Sequence, residues 1–227
     1  DSDNYGRCAM SFEHLEELIF KAADSGIPST VHSIGDRCSY ELLKIFSKVK
    51  RKTGSSLRHR IEHLQALRPE DLDLLKESVV CCAIQPVHMK ADIKYIDKLW
   101  SKAAAYAFPL RSLMDNGLIM GFSSDAPVET INPFEGVYSA LERRYNNDPA
   151  NPVWLPEQRL KTEEILKAYT WGSAYISQAE KYCGSLEVGK SADLFILENF
   201  FEKNNNFWLT AKSKFTMIRG EIVYSSI

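Results

Sequence analysis

From residue 12 to residue 141 the chain alternates, again and again, between helix-period segments and short apolar runs. In "FEHLEELIFKAADS" (12–25), Leu15, Leu18, Ile19 and Ala22 fall on one helical face, and Gly26 follows as a stop. "STVHSI" (29–34) reads as a strand. Residues 39–52 place Leu42, Ile45, Phe46 and Val49 at i, i+3, i+4 and i+7, and Gly54 ends that helix. "LRHRIEH" (57–63) is a second strand, and Pro69 opens a helix holding Leu72 and Leu75. "VVCCAIQP" (79–86) is a third strand, whose unbroken apolar run suits burial on both faces. A longer insertion follows, from His88 to about Phe108. Pro109 then starts a helix with Leu110, Leu113 and Met114, stopped at Gly117. "LIMGFSSD" (118–125) is a fourth strand, and Asn132-Pro133 marks the cap and first turn of a helix through Leu141. Strands separated by helices pair in parallel, because each crossover returns the chain to the same end of the sheet. The expected fold is α/β, with four strands forming an open sheet or half of an eight-stranded barrel.

Thr162 is expected to cap a long helix, "EEILKAYTWGSAYIS" (163–177), with acidic residues in its first turn. The period changes after Lys181. "GSLEVGKSADLFIL" (184–197) and "KFTMIRGEIVYSSI" (214–227) read as β segments with turns at Gly184, Gly189 and Gly220, and Asn204 to Asn206 as a polar loop between them. The expected division is an α/β body over 1–180 and a small β appendage over 181–227.

Composition excludes several functions. A formal net charge of −2 and no basic patch interleaved with aromatics give no nucleic-acid signal. No apolar run approaches the roughly 20 residues of a membrane span. The polar opening "DSDNYGRCAM" lacks a signal pattern, and the missing initiator Met suggests a processed chain or an excised fragment. The five cysteines are odd in number and form no CxxC, which favours reduced thiols in a cytoplasmic protein. Cys81 and Cys82 lie in an apolar run and read as small core residues.

The chemistry gathers at strand ends. The first strand ends in His32, the second in His63 and the fourth in Asp125. In a parallel α/β sheet these ends lie on one side, where ligands bind. A strand histidine taken singly is usually a satisfied core residue; three such residues at equivalent positions favour a site. Two imidazoles and a carboxylate suit a divalent ion, zinc foremost. "RHRIEHLQ" (58–65) raises the question of why a strand keeps so many ionisable groups. Alternation offers a candidate answer: His63 points one way as a candidate ligand, while Glu62 and the arginines turn to the opposite face, where they can pair with each other or with neighbouring helices. His59 shares the parity of His63, but at i, i+4 the two lie about 13 Å apart on a strand and cannot chelate one ion. A structural hydrogen bond is the role expected of His59, and a surface position that of His14.

"VHSIGDR" (31–37), "RHRIEHLQ" (58–65), "IQPVHMKAD" (84–92), "FSSDAPVE" (122–129), "LKAYTWGSAY" (166–175) and "GSLEVGKSADLFIL" (184–197) occur in an order that resembles the C-terminal part of a metal-dependent amidohydrolase. The subgroup is amidohydrolase family 3, the YtcJ-like proteins. The resemblance implies a (β/α)8 TIM barrel, of which these four strands are strands five to eight, with a small β-sandwich that residues 181–227 help to build. It implies His32, His63 and Asp125 as metal ligands, with Asp125 also the catalytic proton acceptor. His88 in the family's "QPxH" is implied near the substrate, and Asp36 is a further candidate there, an N-cap for the helix near Arg37 being the alternative. In "FSSD", Ser123 stands where the family has glycine. The implied activity is hydrolysis of a carbon–nitrogen bond in an amide, formamide or cyclic ureide of a small-molecule substrate.

One departure from the family is an absence. The family opens with His-x-His on its first strand, and no His-x-His occurs in this chain. The expectation is half a barrel with an incomplete metal site, inactive alone and holding metal weakly. The alternative is a non-catalytic half-barrel that associates with a second copy or a missing N-terminal half. A flavodoxin-like binding domain is a third reading, but "SIGDRCS" lacks the Gly-rich phosphate loop it needs.

Overall fold

The computed structural model describes residues 6–54, 56–198 and 204–226. In chain order the elements are α1 (Phe12–Asp24), β1 (Thr30–Ser33), α2 (Asp36–Thr53), β2 (Arg60–His63), α3 (Leu72–Ser78), β3 (Cys81–Ile84) and α4 (Met89–Leu99). They continue with α5 (Leu110–Asp115), β4 (Met120–Phe122), α6 (Pro133–Glu142), α7 (Thr162–Lys167), α8 (Ser173–Ile176), β5 (Leu194–Leu197), β6 (Ser213–Ile218) and β7 (Glu221–Ser225). The four expected α/β strands all form, in the sheet order β1-β2-β3-β4. The chain divides into two compact units, residues 1–84 with 96–120, and residues 85–95 with 121–227.

In the first unit the ladder is parallel. Thr30 faces Arg60 and Ser33 faces His63, and the next ladder pairs Arg60 with Cys81 and Ile61 with Cys82. All four residues of β3 are buried, as its continuous apolar run requires. The amphipathic face of α2 buries Leu42, Leu43, Ile45, Phe46 and Val49. That helix ends because Gly54 adopts φ 61 and returns its N–H to Lys50 O at 3.0 Å, a left-handed cap that glycine takes without a Cβ clash. Ser11 Oγ caps α1 by accepting from His14 N at 3.2 Å, and His14 itself is exposed. Between β2 and α3, Arg68 grips the buried Asp71 through two bonds of 2.7 and 3.1 Å.

In the second unit α6 starts at Pro133, with Asn132 Oδ1 accepting from Phe134 N at 3.1 Å, the cap the sequence announced. Residues 88–108, expected as an insertion, contain α4 and a 3-10 stretch over Ser101–Tyr106. Met89, Ile93 and Ile96 are buried at i, i+4 and i+7, an ordinary helical period. Thr162 is the first residue of its helix and not the cap: Lys161 precedes it, its N–H donating to Glu164 Oε2 at 2.7 Å. The long helix expected there is interrupted by a π-helical turn, Ala168–Gly172.

Gly121 is required in β4: a Cβ there would lie 2.3 Å from Ile176 Cδ1 and 3.1 Å from the Ser173 Cα. Ser173 Oγ completes the contact by donating to Phe122 O at 2.8 Å. β5, β6 and β7 form an antiparallel sheet in that order. Arg219 and Gly220, at φ 52 and 83, turn the β6–β7 hairpin, both on the side a two-residue hairpin loop needs. Residues 184–193 form no strand, and Asn205–Leu209 is a 3-10 turn capped by Asn204 in place of the expected loop. Trp208 is buried there against Phe134, ring centroids 5.9 Å apart.

Candidate functional site

Each unit brings two of the candidate side chains together. In the first, His32 and His63 leave the ends of β1 and β2 with ring centroids 4.5 Å apart, edge to face. His63 is buried and His32 exposed, since β1 is an edge strand. Within β2, Ile61 and His63 are buried while Arg60 and Glu62 are half-buried, Arg60 Nε lying 3.5 Å from Glu62 Oε1. The alternation expected of "RHRIEHLQ" is therefore the observed one. His63 has φ 72 and Leu64 φ 44, a left-handed exit that side-chain-bearing residues adopt at a cost of about 1–3 kcal/mol each. Leu64 N–H donates to Ser33 O at 3.0 Å and fixes that exit.

His59 is structural. Its Nδ1 accepts from Ser29 N at 3.1 Å, and its ring lies 5.0 Å from that of Phe46. Burial holds its pKa below the usual histidine value. Asp36 is the first residue of α2, with Gly35 at the N-cap position. Its Oδ1 accepts from Arg37 N at 2.8 Å and its Oδ2 from the Tyr106 hydroxyl at 2.8 Å. Burial, and then that bond, push the Tyr106 phenol up to about 12. An open groove along α1, lined by Glu13, Glu17, Phe20 and Lys52, contains none of the candidate residues.

In the second unit His88 Nε2 lies 3.7 Å from Asp125 Oδ2. His88 is buried in the 3-10 turn Pro86–His88 that leads into α4; the Asp125 side chain is 42% exposed. Asp125 has φ 56, so a candidate residue takes the left-handed conformation beyond the fourth strand as His63 does at the end of the second. The surrounding ties were not singled out from the sequence. Gln85 Nε2 donates to Ser123 Oγ at 3.0 Å. Lys90 Nζ reaches Glu129 Oε2 at 2.8 Å and Glu135 Oε2 at 3.0 Å. Burial opposes the charge on Lys90, but the two glutamate bonds outweigh it and raise its pKa. Lys90 and Glu129 lie within the motifs "IQPVHMKAD" and "FSSDAPVE"; a signal was present, but no one-dimensional pattern says that they meet.

Parallel strands followed by helices form the class of α/β fold in which ligands bind outside the carboxyl ends of the strands. The chain belongs to the amidohydrolase family, whose model matches residues 5–224. It is 32% identical over 215 residues to the putative amidohydrolase YtcJ of Bacillus subtilis, covering 93% of this chain and 40% of that protein. It is 26% identical to the N-substituted formamide deformylase of Arthrobacter pascens, covering 83% of this chain and 34% of that one. Among solved structures, a metal-dependent hydrolase from Pyrococcus horikoshii superposes with a TM-score of 0.71 at 28% identity, over 85% of this chain and 38% of that one. The chain thus spans less than half the length of these relatives.

Proposed function

We propose that residues 1–180 are strands five to eight of a (β/α)8 barrel, that residues from 181 belong to a β-sandwich, and that the intact enzyme hydrolyses non-peptide carbon–nitrogen bonds. Amides, formamides and cyclic ureides of small molecules are the substrate class. The observation that carries this reading is the family match over residues 5–224. The His88–Asp125 contact of 3.7 Å adds weight, since it places a buried imidazole beside the proposed proton acceptor.

The donor chemistry, imidazoles and a carboxylate, suits a divalent ion, zinc foremost. His32, His63 and Asp125 would hold it. When bound, the ion supplies Lewis acidity and lowers the pKa of a water to about 7. Asp125 takes the proton from the attacking water and returns it to the leaving nitrogen. His88 contacts the substrate and steadies the Asp125 carboxylate. Asp36 acts at the substrate edge, orienting the Tyr106 hydroxyl. With no His-x-His in the sequence, the site is incomplete; this chain alone holds metal weakly and turns over little or nothing. All five cysteines are free, in keeping with a cytoplasmic placement. No helix among the described residues is long and apolar enough to cross a membrane.

A second reading, a non-catalytic half-barrel that associates with its own copy or with a missing N-terminal half, draws on the β5–β7 sheet. There Phe195, Ile196, Ile222, Val223 and Tyr224 are exposed.

The test expresses this chain and a version extended by its upstream coding sequence, and assays both on formamides, amides and cyclic ureides. Turnover is expected from the extended protein, and Asp125→Asn should lower it about 10²–10⁴-fold. An extended protein that hydrolyses none of these substrates, or whose turnover survives Asp125→Asn, defeats the reading. Robust turnover by the 227-residue chain defeats the claim that it is inactive alone.

A further inference from the structure

The loop from Ser123 to Asn132 carries Asp125 but has little regular structure of its own. Asp125, Ala126, Pro127 and Val128 are all exposed, and the loop's internal backbone support includes Val128 N–H donating to Asp125 O at 2.9 Å. What borders the loop is a lysine. Lys90 lies in the first turn of α4, two residues after His88. Glu129 is four residues after Asp125, and Glu135 is in the first turn of α6. Lys90 Nζ sits between the two carboxylates at 2.8 and 3.0 Å, with the Lys90, Glu129 and Glu135 side chains 23, 14 and 31% exposed. One ammonium therefore ties the backbone beside His88 to the backbone beyond Asp125 and to the helix that follows. At the other end of the loop, Gln85 Nε2 holds Ser123 Oγ at 3.0 Å.

We propose that Lys90 is a positioning residue: through Glu129 and Glu135 it holds the loop so that the Asp125 carboxylate lies against His88 before any ion or substrate arrives. The proposal rests on the reading of Asp125 as proton acceptor and ligand. Charge gives it direction. Removing the ammonium leaves Glu129 and Glu135 facing one another with Asp125 nearby in sequence, so the loop is driven apart as well as released. Arginine, with the same charge and a forked donor set, can span two carboxylates and should restore the hold. Half-buried ion pairs contribute modestly to global stability, so the effect is local to the loop.

The experiment uses the full chain stripped of metal with EDTA and measures amide hydrogen exchange residue by residue, followed by zinc titration. Lys90→Met and, independently, Glu129→Gln are expected to speed exchange at Val128 about 10-fold. Exchange at Cys82, bonded to Ile119 O within the other unit, should not change. Lys90→Arg should return Val128 to the wild-type rate. Zinc affinity should fall about 10–100-fold in Lys90→Met, with recovery in Lys90→Arg. Unchanged Val128 exchange in both Lys90→Met and Glu129→Gln overturns the proposal, as does an equal rise at Val128 and Cys82, which would mark a merely global role. So does zinc bound equally well by wild type and Lys90→Met. If the wild-type chain binds no zinc while the Val128 contrast and its rescue hold, the metal reading fails and the brace stands.

Discussion

The two units hold their chemistry by different means. His32 and His63 sit on adjacent parallel strands, and the ladder that pairs Ser33 with His63 fixes them through backbone bonds. His88 and Asp125 sit in turns outside the strands, and side-chain ties bracket them: Gln85 to Ser123 on one side, Lys90 to two glutamates on the other. A ladder is cooperative, and its failure unfolds the unit. A side-chain brace can fail alone, leaving the unit folded and the geometry lost. Catalytic groups placed in loops gain freedom to adjust to substrate and need dedicated residues to limit it.

The largest effect that would separate the two cases is on the ladder side. Ile61 is fully buried, two residues before His63 on the same face of β2. Ile61→Ala should cost about 2–5 kcal/mol in urea denaturation. It should loosen the His63 exit together with the whole first unit, visible as faster exchange at Leu64 and Cys82 alike. A variant with near-native stability and a mobile His63 exit would break the contrast. Next in size is Gly121→Ala in the second unit. Its Cβ would meet Ile176 Cδ1 at 2.3 Å and the less yielding Ser173 Cα at 3.1 Å, so a loss of about 1–3 kcal/mol is expected. Because β4 leads directly to Ser123, calorimetry showing no loss would mean that the contact between α8 and β4 does not support the Asp125 loop.

What could be read from the sequence follows the same line. The four strands, the parallel pairing of the first three and the facing of "RHRIEHLQ" were legible because hydrophobic patterning is what burial on a ladder imposes. The helix at Met89–Leu99 was read only as part of an insertion, although Met89, Ile93 and Ile96 carry a helical period. The brace was not legible. Lys90 lies 39 residues before Glu129 and 45 before Glu135, and nothing in a charge pattern says which lysine meets which glutamate. Likewise the π-turn at Ala168–Gly172 and the left-handed exits at His63 and Asp125 come from tertiary packing and have no propensity signature.

A smaller test probes the ladder unit by pH. Burial lowers the pKa of His59 in the folded protein, so the unfolded chain takes up a proton first as pH falls. With more protons bound in the unfolded state, stability rises with pH across this window; it is fully present above the ordinary value of 6.5 and is lost as pH drops below it. Protonation of Nδ1 would also end its acceptance from Ser29 N–H. Urea midpoints measured from about pH 7.5 to about pH 5.5 should therefore decline, and the decline should shrink in His59→Phe even though that variant starts less stable. An identical decline in both proteins would assign the acid sensitivity elsewhere.

The smallest expected effect lies at Ser123, and it sharpens the comparison most finely. The family resemblance places glycine here, and this chain uses the serine hydroxyl to accept from Gln85 Nε2 at 3.0 Å. Ser123→Gly would mix two changes, the lost hydrogen bond and a more flexible backbone. Ser123→Ala removes the hydroxyl alone and isolates the first. Because Ser123 is exposed, water can replace the lost partner, and the cost in global stability should be at most about 0.5 kcal/mol. Exchange at Val128 should rise only slightly in Ser123→Ala and should rise further in Ser123→Gly. If Ser123→Ala frees Val128 as much as Lys90→Met does, the Asp125 loop is held from its strand end, as the His63 exit is, and the two units share one strategy.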